Sequence, residues 1–275
     1  MLLLDINQTI YSSLAVQIKH IEPSEDLLRH MVLNSLRNYR TKFTPDYGEM
    51  IICSDSKHSW RREFFPYYKH QRKEARKKSG INWPEIFEYM NKLKHELREN
   101  FPYKYLEVDG AEADDIIATV VEYTRDVPDP VLIISGDKDF MQLQVYGAKQ
   151  YDPVRNRWLS TPSPDKFLIE HIIKGDRSDG IPNIKSSDNV FVMHDRQHVI
   201  SKNFLTTFDP EASTGEVRRN YFRNKKLIDL RETPPDIREQ IIQQYENSVV
   251  NDRSKLFNYF VTHKLKNLMQ SINEF

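Results

Sequence analysis

"VLIISGDKDF", residues 131–140, opens with an apolar stretch that stops at Ser135 and Gly136 and gives way to two carboxylates, Asp137 and Asp139. A β-branched run of this length, ended by a glycine, predicts a short buried strand. The same pattern recurs upstream: Leu2 to Ile6 carries Asp5 near its end, Met50 to Cys53 is followed by Asp55, and Tyr103 to Val108 forms a further run. Between them, Glu25 to Tyr39, Trp83 to Glu99 and Glu112 to Arg125 show helical periodicity. Strands that alternate with helices predict an α/β fold, a mostly parallel central sheet flanked by helices on both faces. Ligands in such folds collect at the carboxyl ends of the strands. Asp5, Asp55 and Asp137 are therefore expected to converge although they are far apart in the chain.

Two further acidic groups accompany them: Glu112 with Asp114 and Asp115, and Asp176 with Asp179. Hard divalent cations such as Mg2+ prefer oxygen ligands, and carboxylates gathered at one point repel one another without a counter-ion. Taken singly, each group has a plainer explanation: Asp5 as a turn residue, Asp137 and Asp139 as a helix cap, Asp176 and Asp179 as a polar loop. Their joint placement favours a metal site. Glu112 and Asp115, three apart, are expected on one helix face. Asp114 points elsewhere on an ideal helix, and joins the site only through an irregular first turn or a water.

Composition narrows the class. The chain has 275 residues, 39% hydrophobic and 29% charged, as expected of a soluble globular protein. No run approaches the roughly 18 to 20 apolar residues of a membrane span, and Met1 to Ile6 lacks the parts of a signal peptide. The cytoplasm is the expected location. The single cysteine, Cys53, lies in an apolar run and reads as a buried strand residue. Net charge is zero, yet Lys57 to Lys78 holds nine basic residues against two acidic ones. Trp60, Phe64, Phe65, Tyr67 and Tyr68 are interleaved with them, a mixture suited to holding phosphates and stacking on bases. A solvated, charged helix with an apolar underside is the alternative. Lys69 to Gly80 is very basic and poor in large aliphatics, and is expected to be a flexible arm over the site, ordered by a nucleic acid strand.

Tyr151 to Leu159 reads as a hairpin or loop. Beyond Pro162 the pattern is helical, over 164–174, 187–205, 215–226, 235–247 and 253–270, with prolines as punctuation. The organisation expected is an α/β catalytic domain over 1–185, including a basic arch at 57–82, and a smaller all-helical domain over 186–275 for duplex and partner binding. The nine histidines show no spaced cluster that would favour zinc.

The ordered set of Asp5, Asp55, "WRREFFPYYKHQR" at 60–72, "GAEADDIIA" at 110–118, "SGDKDFMQL" at 135–143 and "KGDRSDGIPNIK" at 174–185 resembles the flap endonuclease-like 5′ nucleases. This family includes the 5′ nuclease domains of bacterial DNA polymerases. The resemblance is closest to the T-even phage ribonuclease H type, and "YFVTHKLKNLMQSINEF" at 259–275 extends it to the end of the chain. It implies that Asp5, Asp55, Glu112, Asp114, Asp137 and Asp139 serve a first Mg2+ and its water shell. Asp176 and Asp179, helped by Asp115, are implied for a second, with Mn2+ as a substitute. Arg61, Arg62, Tyr68, Lys69 and Arg72 are implied at the base of the arch, against the scissile phosphate or the terminal nucleotide, with Lys69 and Arg72 catalytic. A positive charge there stabilises the transition state more than the ground state. The loop after Asp179 keeps one glycine where the family commonly has several, so side chains of Lys185, Ser186 and Ser187 are expected to replace a backbone phosphate grip.

The activity implied is metal-dependent 5′ to 3′ exonuclease, flap endonuclease and ribonuclease H cleavage of RNA–DNA and DNA–DNA duplexes, removing RNA primers in phage DNA replication. A single-stranded-DNA-binding protein and a sliding clamp are implied as partners, for a monomer in the infected host's cytoplasm. Two rival readings fit the sequence less well. A small PIN-type nuclease needs neither the basic arm nor the helical second half. A catalytically silent nucleic-acid-binding accessory protein would have little reason to keep nine carboxylates.

Overall fold

The computed structural model describes residues 1–20 and 22–275. The chain runs β1 (Leu2–Asp5), α1 (Ile6–His20), α2 (Glu25–Tyr47), β2 (Met50–Cys53), α3 (Trp60–Phe64), α4 (His70–Lys78), α5 (Trp83–Asn100), β3 (Lys104–Leu106), α6 (Ala113–Tyr123) and β4 (Leu132–Ile134). A 3-10 segment, Lys138–Tyr146, leads to β5 (Lys149–Asp152), β6 (Arg157–Leu159), α7 (Pro164–Lys174), α8 (Lys202–Thr207), α9 (Gly215–Ile228), α10 (Pro235–Asn247), α11 (Ser254–Thr262) and α12 (Lys266–Met269). The strands form one sheet in the order β3-β2-β1-β4-β5-β6, parallel except for β6. The strand order reverses between β1 and β4, the switch point where a crevice opens beyond the carboxyl ends. The expected α/β sheet is thus the observed one.

Every residue of β1, β2 and β4 is buried, because helices cover both faces of the sheet. Asp5 is followed at once by α1, a helix absent from the expected set, whose Ile6, Ile10 and Leu14 pack inward at four-residue spacing. The Asp5 carboxylate accepts the Gln8 N–H at 3.0 Å, so the first ligand candidate also caps this helix. The expected hairpin is β5 with β6, but β5 begins earlier, at Lys149, and also extends the parallel sheet.

Three expectations are corrected. The stretch 187–205 is not one helix: it is a run of turns that ends in the short α8. Asn183 and Ser186 side chains bind the backbone of His198, with the Asn183 amide donating to His198 C=O at 2.7 Å and Ser186 Oγ accepting the His198 N–H at 2.9 Å. Such side-chain bonds compete with helix formation. Helix 253–270 is broken at Lys264, whose φ of 54° is left-handed, and Leu265 N–H returns to Phe260 C=O at 2.9 Å. The residues after 185 do not build a core of their own. Leu256, Tyr259, Phe260, Leu268 and Phe275 pack with β1, α1, α2 and α5, while Ile237 and Ile241 of α10 pack against α6.

Candidate metal centre and cleft

Asp5 ends β1, Asp55 lies two residues past β2, and Asp137 lies three past β4, so the parallel register brings all three to one edge. Each is tied to the backbone. Asp5 also accepts from Ser135 Oγ at 3.4 Å, Asp55 from the Ala113 N–H at 2.8 Å, and Asp137 from the Asp139 N–H at 3.0 Å. Burial, then the Asp55 charge, pushes Asp5 up to about 6. Burial, then Asp139, pushes Asp137 up to about 7. Asp114 is driven well above the carboxylate range by burial and by Asp137. These groups face one another without enough positive charge to ionise together at neutral pH, as expected of an all-oxygen donor set that fits a hard divalent cation.

The carboxylates nearer the arch are in the opposite condition. Arg61 is buried and makes two 2.8 Å bonds to Asp115, and its Nε donates to Leu227 C=O at 2.9 Å. Asp115 also accepts from Thr233 Oγ1 at 2.7 Å, Trp60 Nε1 at 3.3 Å and the Glu112 N–H at 2.9 Å. Asp115 is completely buried and its oxygens are fully used, so neither it as a metal ligand nor Arg61 as a phosphate contact survives. The reason is local. Glu112 precedes α6 with an extended backbone (φ −92°, ψ 163°) and is out of phase with the helix, so Asp115 turns into the core. Asp114, expected to point away, is instead within charge range of Asp137 and Asp5, which push its pKa up.

Glu112 accepts from Tyr68 Oη at 2.7 Å and Lys69 Nζ at 2.8 Å. Burial alone would raise its pKa, but Lys69 and Arg61 outweigh it and hold the group at about 2. Asp179 accepts from Tyr68 Oη at 3.0 Å and from Arg72, with Lys69 Nζ at 3.7 Å. Lys69 has a left-handed φ of 55°, and its N–H donates to Asp179 C=O at 2.7 Å. Gly180 makes that approach possible: a Cβ there would lie 2.8 Å from Tyr67 C=O. The glycine kept in this loop thus serves contact with the arch. The arm expected to be flexible is the helix α4, and Arg76 on it stacks on Trp83 and Phe87 of α5.

Other expected residues divide. Arg62 is exposed and lines a cleft with Lys57, Lys69, Arg72, Arg76 and Asp55. Ser186 is buried and bonded to Asn183 Oδ1 at 3.0 Å, so it is withdrawn as a substrate contact. Lys185 lays its amine 3.7 Å from the Phe204 ring centre. Sequence reasoning missed Lys94, which lines the same cleft from α5, has no ion-pair partner among the described residues, and has its pKa lowered by burial. It also missed His171. That side chain, with Asp139 and Asp176, forms a group whose donor atoms lie within 4.8 Å of one another. The absence of a histidine motif in the sequence concealed it, since its partners are brought to it by folding. Asp176 pairs with Lys138 at 2.9 Å and accepts from Ser178 Oγ at 2.6 Å; against burial, these hold it at about 2.

The family profile of the 5'-3' exonuclease N-terminal resolvase-like domain matches residues 1–163, and that of the T4 RNase H C-terminal region matches 162–275. This chain belongs to the 5′-3′ exonuclease family. The ribonuclease H of Enterobacteria phage T4 is 32% identical over 99% of this chain and 95% of its own length. The DNA polymerase I of Rhizobium leguminosarum is 28% identical over 56% of this chain, a match to 15% of that protein. Among solved structures, the bacteriophage T5 flap endonuclease in a pseudo-enzyme–product complex with DNA and metal ions superposes with a TM-score of 0.63 at 17% identity, covering 90% of this chain and 99% of the T5 chain. The T5 5'-exonuclease with bound zinc gives a TM-score of 0.62 at 16% identity, over 90% and 98%. The 5′ nuclease is a metal-dependent enzyme that acts on nucleic acid. None of its described helices is long and apolar enough to cross a membrane.

Proposed function

We propose that this 5′ nuclease uses two Mg2+ ions to hydrolyse phosphodiesters near the 5′ ends of strands within RNA–DNA and DNA–DNA duplexes, including flaps, and that it removes RNA primers during replication in an infected bacterial cell. The observation that carries the reading is that Asp5, Asp55 and Asp137 at the strand ends and Asp114 in the first turn of α6 gather beside Lys69 and Arg72. Asp5, Asp55, Asp114 and Asp137 would hold the first ion, with Glu112 bordering it. Asp139 and Asp176 would hold the second, with Asp179 beside them. When bound, such a pair of ions activates the attacking water and neutralises the leaving oxygen.

The protein's own groups supply the rest. The single Tyr68 hydroxyl proton has Glu112 at 2.7 Å and Asp179 at 3.0 Å as acceptors, so the ring ties the arch base to both sides of the site. Lys69 and Arg72 sit on the same carboxylates and can exchange them for a substrate phosphate, placing positive charge where it develops in the transition state. Arg62, Lys57, Arg76 and Lys94 line the cleft as sequence-independent phosphate contacts. Lys185, over Phe204, borders the loop that follows Asp179 and is a candidate duplex contact. The chemistry acts on the phosphate common to RNA and DNA, so either strand type is a substrate. A single-stranded-DNA-binding protein and a sliding clamp are the proposed partners of a monomeric, cytoplasmic enzyme.

The test is cleavage of a labelled RNA strand annealed to DNA, beside a 5′-flapped DNA duplex, in Mg2+ and in EDTA, with wild type and Asp137→Asn. Short products bearing 5′ phosphates, lost in EDTA and in the variant, support the reading. Substrate binding with no metal-dependent product would make the chain a silent scaffold.

A further inference from the structure

His171 is buried at 6% exposure, yet its Nε2 has no hydrogen-bond partner among the described residues. Nε2 lies 3.0 Å from Asp139 Oδ1 and 3.5 Å from Asp176 Oδ2, and Asp139 Oδ1 is itself buried without a hydrogen bond. Two complementary atoms at 3.0 Å would ordinarily satisfy each other; here neither makes a hydrogen bond, and both lie with an Asp176 oxygen in one group of donors within 4.8 Å. Neighbouring ligands on one cation, each about 2.1 Å from it, stand about 3.0 to 3.4 Å apart, and His171 Nε2 lies 3.0 Å from one carboxylate oxygen and 3.5 Å from the other. The ring is not free to turn away. It stacks on Phe167 at 5.8 Å and 20°, and the end of α7 is clamped by Gly175, where a Cβ would fall 2.4 Å from Ile181 C=O. Lys138, at 2.9 Å from Asp176 Oδ2, supplies positive charge to the same oxygen and is half-exposed, so it can withdraw.

We infer that His171 Nε2 is a nitrogen ligand at the second cation position, beside Asp139 and Asp176, so that this position, which takes Mg2+ in the proposed reaction, binds Mn2+, Co2+ or Zn2+ more tightly than an all-oxygen site would. The inference rests on the two-ion reading above. An imidazole raises affinity for borderline transition ions and does little for hard Mg2+, which prefers oxygen and water. The two cation positions of this enzyme therefore differ in kind: one has only oxygen donors, and the other has a mixed nitrogen and oxygen set.

The test uses the full-length, metal-stripped protein and three probes, Mn2+, Zn2+ and Mg2+. Pulsed EPR of bound Mn2+ should show nitrogen coupling from one imidazole in wild type and none in His171→Gln. By calorimetry, Zn2+ affinity at that site should fall about tenfold or more in the variant, with Mg2+ affinity changed about twofold or less. Mn2+ bound without nitrogen coupling in wild type would overturn the inference, as would coupling that persists in the variant. The wild-type spectrum does not depend on how the variant folds. Wild type that cuts in Mg2+ but lacks the coupling sinks this inference alone, whereas wild type that shows the coupling but cuts nothing sinks the proposed activity.

Discussion

Asp114 and Asp115 are adjacent on one helix and have opposite fates. Asp114 lies within charge range of Asp137 and Asp5, and all three have raised pKa values, first because of burial and then because of neighbouring carboxylates: Asp55 for Asp5, Asp137 for Asp114 and Asp139 for Asp137. Asp115, one residue on, meets Arg61 through two 2.8 Å bonds and Thr233 at 2.7 Å, inside the core. Identical side chains become either a demand for an external cation or an internal brace, depending on which side of the first turn of α6 they lie. The same contrast holds for the site at large. The strand-end cluster lacks positive charge, whereas Glu112 and Asp179 are compensated by Lys69 and Arg72 and hold the arch.

The largest expected effect is on the uncompensated side. Asp137→Asn should lower Mg2+-dependent single-turnover cleavage by about 10³-fold, with substrate binding retained; a variant that cuts at the wild-type rate would remove Asp137 from the site. Lys69→Ala should follow, slowing the single-turnover step by about 10²-fold at saturating enzyme. If extra enzyme restores its rate, Lys69 is only a phosphate anchor.

Asp115→Asn strands a buried guanidinium and should cost about 3–5 kcal/mol in urea unfolding, with or without metal. Asp114→Asn, by contrast, should stabilise the metal-free protein at pH 8 by about 1 kcal/mol or more, by removing repulsion. Destabilisation by both substitutions to the same degree would erase the distinction between the two residues. pH offers a subtler probe. Asp5 and Asp137 have folded pKa values raised to about 6 and about 7, so the stability they contribute is complete below about pH 4 and is lost as pH rises through those values. Glu112 and Asp176, lowered to about 2, contribute above their ordinary range and lose it only as pH falls toward 2. In EDTA, Tm should therefore decline between pH 5 and 8, and Mg2+ should remove that decline; a flat EDTA curve would mean that the cluster is already neutralised from within. The smallest effect is Arg62→Ala, an exposed cleft contact, which should weaken binding several-fold and reduce the salt slope by about one.

The sheet was legible in the sequence because strands buried on both faces must be apolar throughout, and Leu2–Asp5, Met50–Cys53 and Leu132–Ile134 are runs of that kind ending at or just before a carboxylate. Helix α1 was not, since its start coincides with the end of β1 and its polar residues mask the spacing of Ile6, Ile10 and Leu14. The segment 187–205 has helix-compatible composition, but tertiary bonds from Asn183 and Ser186 override it.

The sequence by itself determined that several carboxylates end apolar strands of a parallel sheet and that a basic, aromatic segment follows the second strand, because strand periodicity and residue chemistry are local properties. Only the tertiary structure decided which acids gather without a compensating cation side chain and which are spent on arginine, that Ser186 is internal, and that His171 stands beside Asp139 and Asp176. Those assignments depend on helix phase and on contacts between residues dozens of positions apart, and the electrostatics of a buried carboxylate are set by what folding places within a few ångströms of it.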